Sequence, residues 1–128
     1  MLTSLSIRDF VLIERLDLEF APSLCVLTGE TGAGKSILLD ALGLATGGRV
    51  ERGFIRNGAS QATVTAVFDP PAAHPVRAAL RTNGFDSDGA LIFRRSIGSD
   101  GRSRAFVNDQ PVSIGLMREA GAMLLEIH

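Results

Sequence analysis

Hydrophobic and polar positions along this chain change their period several times, and each change marks an element. Leu2 to Ile7 alternate as a short strand, and Leu16, Leu18 and Phe20 alternate with Asp17 and Glu19, so the N-terminus predicts two antiparallel edge strands. Ala21, Pro22 and Ser23 form a turn, and the continuous apolar run LCVLTG reads as a strand buried on both faces. Past it, Ile37, Leu38, Ala41, Leu42 and Ala45 fall at helical spacing, and Gly47-Gly48 closes that helix. The polar connection RVERGFIRNGAS then leads to QATVTAVFD, a strand with Ala62, Val64, Ala66 and Phe68 on one side. A helix is predicted from Pro75 to Thr82, closed by Asn83-Gly84. The strands ALIFRRSI and RSRAFVN flank GSDG, a hairpin turn. IGLMREAG predicts a last helix, and AMLLEIH one more buried strand.

Between the buried run and the first helix lies GETGAGKS, Gly29 to Ser36. Strand, glycine loop and helix therefore follow in the order that a phosphate-binding loop requires. Gly29, Gly32 and Gly34 permit a close approach that side chains would block, so successive N–H groups can point at phosphate oxygens. Lys35 is the residue to reach the β- and γ-phosphates, and the Ser36 hydroxyl suits Mg²⁺. Glu30, Thr31 and Ala33 fill the variable positions, and Ile37 follows in the helix. The helix adds unsatisfied N–H groups and the positive end of its dipole. Lys35 is also the only lysine among 13 basic residues. Nucleotide binding, with ATP and Mg²⁺ as cofactors, is the expectation.

Bulk properties narrow the alternatives. A chain of 128 residues is the size of one domain, and 45% hydrophobic with 21% charged residues is a globular composition. No run of about 18 apolar residues occurs, and Arg8, Asp9, Glu14 and Arg15 interrupt any signal peptide, so a cytoplasmic protein without a membrane partner is expected. A net charge of −1 gives little long-range attraction to nucleic acid, so any DNA contact has to be local. The local candidate is a basic hairpin of Arg94, Arg95, Arg102 and Arg104. Nearby Asp86, Asp88, Asp100 and Asp109 dilute its field, Phe93 and Phe106 read as core, and a solvated face is the favoured reading. Cys25 cannot form an intrachain disulfide and reads as a buried small hydrophobe, while His74 and His128 are too isolated for a metal pair. A GTPase should carry Asn-Lys-x-Asp, which is absent; a phosphate-loop kinase and a non-hydrolysing assembly module remain as alternatives.

The strands before Gly29, together with VLTGETGAGKSILLDALGLATGGR, IRNG, FRRSI, GRSRAFVND and LLEIH, resemble the bacterial DNA-repair members of the SMC-like branch of ABC ATPases. The resemblance covers essentially the whole chain. It implies an α/β fold: a P-loop ABC-type ATPase head, with residues 1–128 as an N-terminal lobe whose antiparallel β-subdomain packs on the nucleotide-binding core. It further implies repair of DNA double-strand breaks, ATP held between two copies of the head, a C-terminal lobe as partner, DNA bound by the full-length assembly, and association with the nucleoid. Arg49 is similar in placement to an arginine near the nucleotide in such heads, although the position also suits a solvated loop arginine. The family's glutamine loop, signature segment, Asp-Glu strand and coiled coil have no counterpart in this sequence. An incomplete lobe that binds the nucleotide weakly and hydrolyses it negligibly on its own is expected.

Overall fold

The computed structural model describes residues 2–20 and 32–125, with the backbone alone at 32–35. Its frame is one six-stranded antiparallel sheet: β1 (Leu2–Phe10), β2 (Ile13–Glu19), β3 (Gln61–Phe68), β4 (Leu91–Gly98), β5 (Ser103–Val107) and β6 (Gln110–Pro111). They lie in the order β2-β1-β3-β4-β5-β6. Three helices, α1 (Gly32–Ala45), α2 (Pro75–Thr82) and α3 (Ile114–Leu124), accompany it. Among the described residues only β2 of the N-terminal pair is an edge; β1 is internal, paired with β2 on one side and β3 on the other. The expectation of two edge strands is corrected in this respect.

Alternation decides which face is covered. Leu5 and Ile7 of β1, Ala62, Val64, Ala66 and Phe68 of β3, Leu91, Phe93 and Ile97 of β4, and Val107 of β5 are all buried. They meet Ala41, Leu42, Leu44 and Ala45 of α1, Val76 and Leu80 of α2, and Met117, Ala120 and Leu124 of α3 in one core. The Phe68 and Phe93 rings meet edge to face at 5.5 Å. Phe106 is not in this core, against expectation: in β5 it alternates with buried Ala105 and Val107 and so lies on the opposite face.

The helix ends follow their sequence signals. Pro75 opens α2, and His74 caps it by accepting the Val76 N–H through Nδ1 at 3.1 Å. Ser113 caps α3, its Oγ accepting the Leu116 N–H at 3.1 Å. Ser113→Ala is expected to lower stability by about 1 kcal/mol, because one helix N–H loses its partner; a leftward shift of the urea midpoint at constant slope measures it.

The strand expected at AMLLEIH is overturned over its described part. α3 continues without interruption through Ala122, Met123 and Leu124. Gly121 is not a stop: a Cβ there would stand 2.6 Å from Thr46 Cβ and 2.8 Å from Thr46 O, so glycine serves the close approach of α3 to the end of α1.

Candidate nucleotide site

The C-terminal half of the phosphate-loop motif forms the first turn of α1, which begins at Gly32. Gly29, Glu30 and Thr31, the preceding LCVLTG run and Cys25 lie outside the described residues, as does His128. Within α1, Ser36 is exposed and Ile37 half-buried against the core. No acidic side chain occupies the first turn of α1, so nothing there offsets the positive end of the helix. That donor set suits an anion.

The far end of α1 is held more elaborately than the sequence indicates. Gly48 donates to Gly43 O at 2.8 Å and Gly47, with φ of 92°, donates to Leu44 O at 3.2 Å. These two bonds make a Schellman end, which needs the left-handed glycine. Arg95 then adds a guanidinium: Nη1 donates to Leu44 O at 3.1 Å and to Gly48 O at 2.9 Å, while Nε donates to Ser103 Oγ at 2.9 Å. Arg118 of α3 donates to Gly47 O at 3.3 Å. Two cations thus sit at the negative end of the helix dipole. Burial, reinforced by the nearby charge of Arg118, pulls the Arg95 guanidinium below its ordinary value.

The basic hairpin is therefore split. Arg94 and Arg95 are neighbours in β4, but Arg95 is buried under the sheet and only Arg94 faces outward. Arg94 lies 4.4 Å above the Phe106 ring and 3.7 Å from Asp109; Arg102 lies 3.6 Å from Asp100; Arg104 is exposed. Sequence reading missed the role of Arg95. The available signal was its place in β4, between Phe93 and Ile97 on the buried parity.

Arg49 is exposed just after Gly48. Ser36 and Ala45 stand about 13 Å apart along α1, and Arg49 follows the C-terminal end of that helix. The loop that follows is pinned to the β1–β2 turn: Val11 donates to Phe54 O at 2.8 Å, Arg56 donates to Asp9 O at 2.9 Å, and the Phe10 and Phe54 rings approach to 4.8 Å. Val11 holds φ at 55°, a costly conformation for a β-branched residue. The Phe54 carbonyl stabilises it. Among the described residues no cluster of His, Cys, Asp or Glu could hold a metal ion, and no helix is long and apolar enough to cross a membrane.

A lobe of this build, an antiparallel sheet over a helix opened by a phosphate loop, is the N-terminal lobe of a P-loop ATPase head of the SMC type. A family model described as an AAA domain matches residues 4–109, and the chain belongs to that family. Over its whole length it is 41% identical to the DNA repair protein RecN of Xylella fastidiosa and 44% identical to RecN of Bacillus subtilis. It spans 23% and 22% of those two proteins, corresponding to their N-terminal segment. The fold matches a structure described as "Structural biochemistry of ATP-driven dimerization and DNA stimulated activation of SMC ATPases" with a TM-score of 0.73 at 19% identity, covering 97% of this chain and 79% of that one. It also matches an SMC head domain from Thermotoga maritima with a TM-score of 0.61 at 19% identity, covering 92% and 41%.

Proposed function

We propose that this chain is the ATP-binding lobe of an SMC-like ATPase that acts in repair of DNA double-strand breaks. Its phosphate loop binds Mg·ATP, and two copies of the head engage around the nucleotide. The observation that carries this reading is GETGAGKS leading into α1, whose first turn holds no acidic residue, in a lobe with the SMC-type fold. Gly29, Glu30, Thr31, Gly32, Ala33, Gly34 and Ile37 surround the phosphates in this reading, Lys35 supplies the charge and Ser36 the Mg²⁺ ligand. Arg49, exposed beyond the other end of α1, is assigned to the same site on its similarity in placement to the arginine of such heads. The similarity to RecN supports DNA as the substrate of the whole assembly and a C-terminal lobe as the partner that completes the head. A cytoplasmic protein that gathers on the nucleoid during repair fits this role.

Light scattering on the protein at its full length tests the engagement. The mass is expected to double when Mg·ATP is added under conditions that block hydrolysis. An identical mass with and without the nucleotide overturns ATP-dependent engagement.

A further inference from the structure

The face of the sheet away from the helices carries chemistry that the nucleotide site does not use. Its outward positions are Ser4, Ser6 and Arg8 on β1, Arg15, Asp17 and Glu19 on β2, Gln61, Thr63, Thr65 and Val67 on β3, Ile92, Arg94 and Ser96 on β4, and Arg104 and Phe106 on β5. The carboxylates among these, Asp17 and Glu19, stand at the β2 edge, and β3, β4 and β5 contribute none. Register aligns them into a cross-strand row, Arg104–Ser96–Thr63–Arg8–Arg15, that runs from β5 through β4, β3 and β1 to β2. Hydroxyls fill the middle of this row and guanidinium groups its ends, over four strand spacings or roughly 19 Å. A depression of about 290 Å³, lined by Gln61, Thr63, Arg94, Ser96, Arg104 and Phe106, opens along it. A second of the same volume adjoins it at Ser99, Asp100 and Arg102.

We infer that this outer face binds the phosphate backbone of duplex DNA. Guanidinium and hydroxyl donors are the groups that proteins use to hold phosphate oxygens. The carboxylates nearest the hairpin are weak competitors: Asp109 and Asp100 meet Arg94 and Arg102 only at 3.7 and 3.6 Å, and both pairs are solvent-exposed. Arg104 has no carboxylate partner among the described residues. At the β2 end, Asp17 holds Arg8 at 2.9 Å and Arg15 at 3.5 Å, so Arg104 is the end of the row without a carboxylate partner among the described residues, and Arg94 lines the same depression beside it. A single strand is the poorer occupant. Such strands need exposed aromatic platforms for their bases, and Phe106, the outward ring on β5, lies under Arg94.

The surface is distinct from the phosphate loop, and the choice of DNA as the polyanion rests on the repair function proposed above. Fluorescence anisotropy with a labelled 40-base-pair duplex and the matching single strand, without nucleotide, tests it in the full-length protein across a series of salt concentrations. Arg94→Ala/Arg104→Ala is expected to weaken duplex binding roughly tenfold at ~0.1 M salt and to reduce the slope of log affinity against log salt by about 2. Arg94→Lys/Arg104→Lys should keep most of that slope, because phosphate reads charge first. Arg52→Ala/Arg81→Ala, which removes the same charge from exposed positions elsewhere, should leave it unchanged. Lys35→Ala should also leave it unchanged, which separates failure of the nucleotide site from failure of this surface. An unaltered slope in the Arg94/Arg104 variant, an equal loss in the Arg52/Arg81 variant, or a larger loss for the single strand overturns the assignment.

Discussion

Lys35→Ala is expected to abolish phosphate-dependent nucleotide binding, weakening Mg·ATP by on the order of 100-fold or more, an amount close to one lost charge-assisted contact. The backbone amides of the loop and the dipole of α1 remain in the variant, so the loss isolates the point charge. No other ammonium can replace it, because Lys35 is the only lysine of the chain. Lys35→Arg should recover little. A planar fork on a bulkier head does not reproduce a compact ammonium inside a glycine cradle. Calorimetric titration with Mg·ATP reads the affinity, and an unchanged circular dichroism spectrum confirms that α1 is intact. Unaltered affinity in the alanine variant removes Lys35 from the site.

Much of this architecture was readable from local pattern. The alternation of QATVTAVFD gave a strand whose Ala62, Val64, Ala66 and Phe68 are all fully buried, because a sheet with one covered face enforces period two. Pro75, Asn83-Gly84 and Asp100-Gly101 placed α2 and the β4–β5 turn through backbone preferences that need no tertiary information. The helix after the phosphate-loop motif was likewise legible, and it begins within the motif, at Gly32.

What the sequence concealed depends on contacts between distant elements. Gly121 looks like a helix stop, yet its reason is Thr46, which leaves no room for a Cβ. Phe106 looks like core, yet its register against Arg94 turns it outward. Adjacent arginines at 94 and 95 look like one basic patch, yet the pleat sends them to opposite faces. Charge alone could not reveal this, because Arg95 is buried for the sake of carbonyl groups some 50 residues earlier. The structure also joins the two faces of the sheet through one strand. β4 presents Arg94 to the outer groove and Arg95 to the end of the helix that begins at the phosphate loop.

Its clamp on the end of α1 makes Arg95 the second decisive substitution. Arg95→Ala removes three donated hydrogen bonds, to Leu44 O, Gly48 O and Ser103 Oγ, from a residue that is 3% exposed. Bonds from a charged donor are worth more than neutral ones, and Leu44 O loses its guanidinium partner in a buried setting. Part of the loss is offset because burying the guanidinium is itself costly, as its depressed pKa records. A net destabilisation of about 2–4 kcal/mol is expected, measured by urea unfolding. Arg95→Lys keeps a cation at the negative end of α1 but cannot fork to three acceptors, so it should fall between alanine and the native protein. Arg118, which donates to Gly47 O, remains in both variants and limits the damage to one side of the helix end. If α1 is positioned by this clamp, the lysine variant also binds Mg·ATP more weakly than its retained fold alone predicts, because the amides at the other end of the helix no longer face the phosphates in register. Native-like stability in Arg95→Ala, or lysine and alanine variants that unfold at the same midpoint, would show that the Schellman bonds of Gly47 and Gly48 hold α1 without help from β4.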